Sequence, residues 1–205
     1  MSERDNRIHF RTRGGPTQGW GNVYRLASFA EQCRQRGHGQ PLFFAEGPET
    51  VASFLRNRGF DVVHLPDGIG IEEERRVLAD HSHAEATFLE MLEATPELQR
   101  LHRESTNLLV VFDDLCDQVY EADLVVCGQG LPSHANQALS AEGTEFLVGY
   151  DYFLMRPEFL EKRDAARTIR PRLERVLVTL GGGRYDVGYL KAAHGLAGSG
   201  LELDT

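Results

Sequence analysis

The stretch NLLVVFDD, residues 107–114, constrains this chain more than any other. It is apolar throughout and ends on two carboxylates. Such a run has no face to give to water, so it suits a central strand of a parallel sheet covered on both sides. Shorter runs of similar character precede it: RIHFRTR around Ile8 and Phe10, PLFFA at Pro41–Ala45, and FDVVHLP at Phe60–Pro66. Between them, apolar residues recur at helical spacing. Val23, Leu26, Ala27, Ala30 and Cys33 make one such face, and ETVASFLRNRG makes another. Strands alternating with amphipathic helices predict an α/β fold, a Rossmann-like parallel sheet wrapped by helices.

The middle of the chain is harder to assign. A fourth strand is expected around Arg76–Ala79, and AEATFLEMLEATPELQRLH reads as helix broken or restarted at Pro96. ADLVVCG and EFLVGYDY then read as two further strands. Residues 156–175 mix basic and acidic side chains and suit a solvated helix and connector. VLVTLGGG, residues 176–183, reads as another buried strand running into a glycine turn, followed by a helix and a short last strand at LELDT. The expected organisation is a Rossmann-like domain over 1–155, a charged connector over 156–175, and the beginning of a second domain over 176–205. One strand-turn-helix cannot bury its own apolar face, so this last piece is expected to be part of something larger, or to pack back on the first domain or on a partner.

The net charge of −9 argues against a nucleic-acid partner, which requires a basic footprint. No apolar run approaches the ~18 residues of a membrane span, and MSERDNRIHF lacks the apolar core of a signal peptide. Cys33, Cys116 and Cys127 have no CxxC spacing and are expected to be reduced, buried thiols of a cytoplasmic protein.

Ligands of open α/β sheets sit at the carboxyl ends of the strands. Four features are expected there: the loop GGPTQGWGN ending at Asn22, the segment Asp80–His83, the pair Asp113 and Asp114, and Gly181, Gly182 and Gly183. The first loop could aim backbone N–H groups at an anion or be a permissive turn. It matches neither GxGxxG nor a Walker loop. Trp20 could cover a sugar or base, or simply pack. Asp80, His81 and His83 could serve as acid–base groups, metal ligands or exposed loop residues. Asp113 and Asp114 could cap the following turn or meet a ligand. His134 is equally ambiguous.

The order of these signals is more specific than any one of them. IHFRTRGGPTQGWGNVYRLASFAEQ resembles the opening of the nucleotide-sugar hydrolases of the pseudaminic acid pathway and their spore-coat polysaccharide relatives, which carry a Gly-x-Gly-His-x-x-Arg loop. VLADHSH is similar to their Asp-His-Tyr strand end, LLVVFDDL to their paired-aspartate strand, and GYDYFLMRPEF to their last N-terminal segment. The resemblance implies the N-terminal domain of a GT-B fold that releases UDP from an activated 2,4-diacetamido sugar, with no required metal. It would place Gly19, Gly21, Arg25, Tyr152 and Arg156 near the sugar and Gly181 and Gly182 near the nucleotide. A glycosyltransferase and a non-catalytic nucleotide-sugar binder are the alternatives. A second half or a partner subunit would complete the cleft. The family histidine falls on Asn22, whose amide cannot take a proton from water, and the family tyrosine falls on Ser82.

Overall fold

The computed structural model describes residues 7–128, 140–166, 169, 171–180, 186–200 and 202–204. Seven strands form one wholly parallel sheet: β1 (Arg7–Arg13), β2 (Gln40–Glu46), β3 (Asp61–Leu65), β4 (Ala86–Glu90), β5 (Leu109–Phe112), β6 (Leu124–Cys127) and β7 (Glu145–Val148). Their spatial order is β3-β2-β1-β4-β5-β6-β7. The chain therefore reverses direction across the sheet between β1 and β4, which opens a crevice at their carboxyl ends.

Helices α1 (Gly21–Gln35) and α2 (Glu49–Arg56) cover one face, α3 (Ile71–Ala79) and α4 (Pro96–Arg103) the other. On the first face Val23, Leu26 and Ala30 of α1 and Val51 and Leu55 of α2 pack on Phe10, Phe43, Val110 and Phe112. Phe10 stacks between Phe43 and Phe88, with centroids 5.0 and 5.3 Å away. On the second face Leu78, Leu98 and Leu101 meet Phe44, Leu89, Leu109 and Val111.

In β1 the second face is polar. Arg11 is buried there and donates to Glu74 through Nε (2.7 Å) and to Glu46 through Nη2 (2.5 Å), while His102 contacts Glu74 at 2.7 Å. The Arg11 guanidinium thus ties β1 and β2 to α3, and His102 adds α4. Although burial opposes it, hydrogen bonding and charge from His102 and Arg11 hold the Glu74 carboxyl down at about 2. His9, packed edge-on against Phe44, is pushed down to about 4 by burial and by neighbouring cationic groups.

Two expected elements change type. Arg76–Ala79 is the end of helix α3 rather than a strand. Its acidic first turn, Glu72–Glu74, suits the positive end of a helix dipole. The expected helix over 84–102 is instead strand β4 followed by helix α4, begun by Thr95, whose hydroxyl accepts from Leu98 N (3.3 Å), and by Pro96 in the first turn. β4 lies between β1 and β5, so it is buried on both faces and lacks the period-two alternation that marks a half-exposed strand.

The cysteines also differ from expectation. Cys116 and Cys127 are joined as a disulfide, and only Cys33 is a free, buried thiol. After β7 a 3-10 turn (Tyr150–Tyr152) and the short helix α5 (Pro157–Leu160) carry the chain back along α1. The remaining described residues include β8 (Arg175–Leu177), α6 (Asp186–Leu196) and β9 (Glu202–Asp204), with β8 and β9 parallel. β8 is short and largely exposed, not the buried strand expected, and Leu177, Val187 and Leu190 are open to solvent.

Candidate functional site

The glycine loop after β1 divides into two parts. Gly14, Gly15 and Gly47 serve the backbone. A Cβ on Gly14 would sit 2.4 Å from Val23, and one on Gly47 would sit 2.3 Å from the Gly14 carbonyl oxygen. Gly15 and Gly19 bond to each other through both amides, at 3.0 and 2.8 Å. The loop is thus a closed turn, and these two N–H groups are spent within it. Gly19 needs its positive φ of 78° for that turn. Gly21 is different. It is exposed, opens α1 and would meet nothing within 4 Å if it carried a side chain. Crowding does not demand a glycine there. The first intrahelical bond runs from Tyr24 N to Trp20 O, so the amides of Gly21, Asn22 and Val23 precede the helical ladder.

Beside this helix start lies a groove of ≈ 370 Å³, lined by Trp20, Gly21, Arg25, Phe153, Met155 and Arg156. The Arg156 guanidinium lies over the rings of Tyr24 (5.8 Å) and Phe159 (4.7 Å). Arg25 connects the groove to a narrow cleft of ≈ 10 Å³, room for about one water, at the carboxyl ends of β4, β5 and β6, which Glu90, Asp114, Tyr152 and Phe153 also line. The Phe153 ring covers Arg25 at 5.8 Å.

Arg25 is the hub. Its Nη2 pairs with Glu90 at the end of β4, its Nη1 with Asp114 after β5, and Nη2 also donates to Asn22 Oδ1 at 3.3 Å. Glu90 is 2% exposed. Burial raises its carboxyl to about 8, with Asp114 pushing the same way, against the pull of Arg25. Both Glu90 oxygens, Thr12 Oγ1 and Arg25 Nε are buried with no hydrogen-bond partner among the described residues, Oε1 being in ion-pair contact with Arg25 Nη2. Thr12 is the register partner of Glu90 on β1.

The structure therefore brings together Gly19, Trp20, Gly21, Asn22, Arg25, Asp114, Tyr152 and Arg156 around one end of the sheet. Asp113 has another task. It accepts from Leu115 N (2.9 Å), Gln118 Nε2 (2.7 Å) and the Tyr120 hydroxyl (2.9 Å), so it shapes the loop after β5. Asp80 and His81 do not join the site. They follow α3 and precede β4, at the amino ends of the strands. Asp80 is an exposed helix C-cap, and His81 packs edge-on against Phe44. His83 contacts Asn107 on the same side. Placing them at a carboxyl end depended on a strand that is in fact α3. Gly181, Gly182, Gly183 and His134 lie outside the described residues. Sequence reasoning missed Glu90. The signal that could have found it is a lone carboxylate directly after the apolar pair Phe88–Leu89, ahead of the strand at 107–114.

Among the described residues, no three His, Cys, Asp or Glu side chains are grouped to hold a metal ion, and no helix is long and apolar enough to cross a membrane. No known family model matches the chain. It is 24% identical over 176 residues to the uncharacterized protein MJ1062 of Methanocaldococcus jannaschii, a match that covers 83% of this chain and 36% of that protein. The chain thus spans about a third of that relative's length. The crystal structure of Acinetobacter baumannii MurG superposes on 97% of this chain with a TM-score of 0.53 at 10% identity, covering 67% of MurG. That likeness is one of fold: a Rossmann-like domain of the GT-B glycosyltransferase type.

Proposed function

We propose that this chain processes a nucleotide sugar in surface-glycan synthesis, releasing UDP from an activated amino sugar. The observation that carries the reading is the position of Arg25. It pairs with Glu90 at the end of β4, beside the reversal point of the sheet, and borders both a narrow cleft there and an aromatic groove at the start of α1. That crevice is where doubly wound sheets receive ligands. The Trp20 and Phe153 faces suit a sugar ring or base, and Arg156 suits a phosphoryl oxygen. Gly19 and Gly21 leave the approach open, while Asp114 and Tyr152 bound the cleft. Gly181–Gly183 would serve the nucleotide side.

The GT-B likeness favours transfer to an acceptor hydroxyl as a second reading. The experiment is an assay for UDP release from a UDP-2,4-diacetamido sugar. Release in water alone supports hydrolysis, and release only with added glycan acceptor supports transfer. Asn22→His would place an imidazole at the family position and is expected to raise the hydrolytic rate. Absence of both release and binding refutes the reading.

A further inference from the structure

The ion pair with Arg25 accounts for only one of the two oxygens of the Glu90 carboxylate. A buried ionisable group is costly, and an apolar residue or an amide would sit at the end of a central strand more cheaply. Yet its Oε2 is buried without a hydrogen-bond partner among the described residues, and the Thr12 hydroxyl opposite is in the same condition. Oε1 is fixed by Arg25, which Asp114 holds from its other side. The side chain lines the narrow end of the cleft. Asn22 is tied to Arg25 and cannot accept a proton at neutral pH.

We propose that Glu90 is the proton acceptor of this cleft, the catalytic base that the first loop lacks. The proposal rests on the nucleotide-sugar reading above. In hydrolysis a water oxygen bonds to the anomeric carbon while the bond from that carbon to the diphosphate breaks. Its electron pair leaves on UDP, and the water proton passes to Glu90 Oε2. Release of that proton to solvent restores the carboxylate. Arg25 and Asp114 position the carboxyl and do not take part in the transfer.

Among the described residues, the charged and titratable groups around Glu90 are Arg25 from α1, Asp114 after β5 and Tyr152 after β7. With its carboxyl at about 8, the basic form grows as pH rises. kcat/KM for UDP release is therefore expected to climb about tenfold per pH unit below that value and to level above it.

The experiment measures UDP release and Trp20 fluorescence on the full chain with a UDP-2,4-diacetamido sugar, from about pH 6 to 10. Glu90→Gln should lose ~10²–10⁴-fold in kcat with KM little changed, and the rising limb should vanish. Glu90→Ala should recover part of its rate with added formate, which a purely structural residue would not allow. A Glu90→Gln enzyme within about threefold of wild type, with the same limb, overturns the proposal. Wild type that binds the sugar nucleotide but never releases UDP also overturns it, leaving the binding reading standing. If wild type neither binds nor releases, the nucleotide-sugar reading has failed and the base assignment falls with it.

Discussion

Replacing Glu90 by glutamine should make the protein more stable, and increasingly so as pH rises. An unfolded chain ionises this carboxyl near its ordinary 4.5, whereas the fold holds it at about 8. Between those values the folded state binds more protons than the unfolded state, so stability falls as pH rises. At about 1.4 kcal/mol per pH unit, the full span corresponds to ~5 kcal/mol at pH 8 and above. Relaxation around the Arg25 pair and water entry reduce this to ~2–4 kcal/mol. Glutamine has the shape of the protonated acid and does not ionise. Glu90→Gln should therefore match wild type near pH 4.5 and exceed it by ~2–4 kcal/mol at pH 8.5, a rise of ~5–15 °C in Tm for a chain of this size. Urea melts of both proteins across pH 4.5–9 provide the measurement. A pH-independent difference, or a less stable variant at high pH, would refute the claim that burial strains this carboxylate. Stabilisation with lost activity is the pattern of a residue kept for function at a cost to the fold.

Three other outcomes follow from the geometry. Arg25→Ala leaves Glu90 and Asp114 facing one another without their shared cation and should cost ~3 kcal/mol at pH 7 in urea denaturation. Glu74→Gln removes the anion that pairs with buried Arg11 and His102. Because the Glu74 carboxyl is held at about 2, its contribution is present above pH 4.5 and lost as pH falls through about 2. The variant should be ~3 kcal/mol less stable at pH 7, with the gap closing in acid. Gly47→Ala forces a methyl to within 2.3 Å of the Gly14 carbonyl at a φ of 129°, so a loss above ~2 kcal/mol and displacement of the β1 loop are expected, read by Tm and Trp20 fluorescence.

The sequence revealed most of the sheet because β1, β2, β3 and β5 are short apolar runs set between helical patterns. The two failures share a cause. Phe88 and Leu89 of β4, together with Met91 and Leu92 just after it, fall at helix-like spacing, since a strand covered on both faces need not alternate. In α3 the run of charges hides the apolar positions Val77 and Leu78, although an acidic first turn is itself a helix-start signal. Exchanging a strand for a helix there moved Asp80 and His81 to the wrong end of the sheet and concealed Glu90. Asp114 was legible because it follows a correctly placed strand, whereas Arg25, in α1, and Tyr152, after β7, were named only through the family resemblance. That Asp113 shapes its loop while its neighbour Asp114 faces Arg25 depends on side-chain partners several residues away, and no local pattern encodes it.

Trp20 is the only tryptophan and lines the groove, so its emission reports directly on whether the carboxyl-end cleft takes an activated sugar. Titration of the protein with a UDP-2,4-diacetamido sugar should give a saturable change in Trp20 emission that weakens at least about tenfold in Arg156→Ala. An unchanged spectrum at millimolar sugar nucleotide, or a change that Arg156→Ala leaves untouched, would contradict the account.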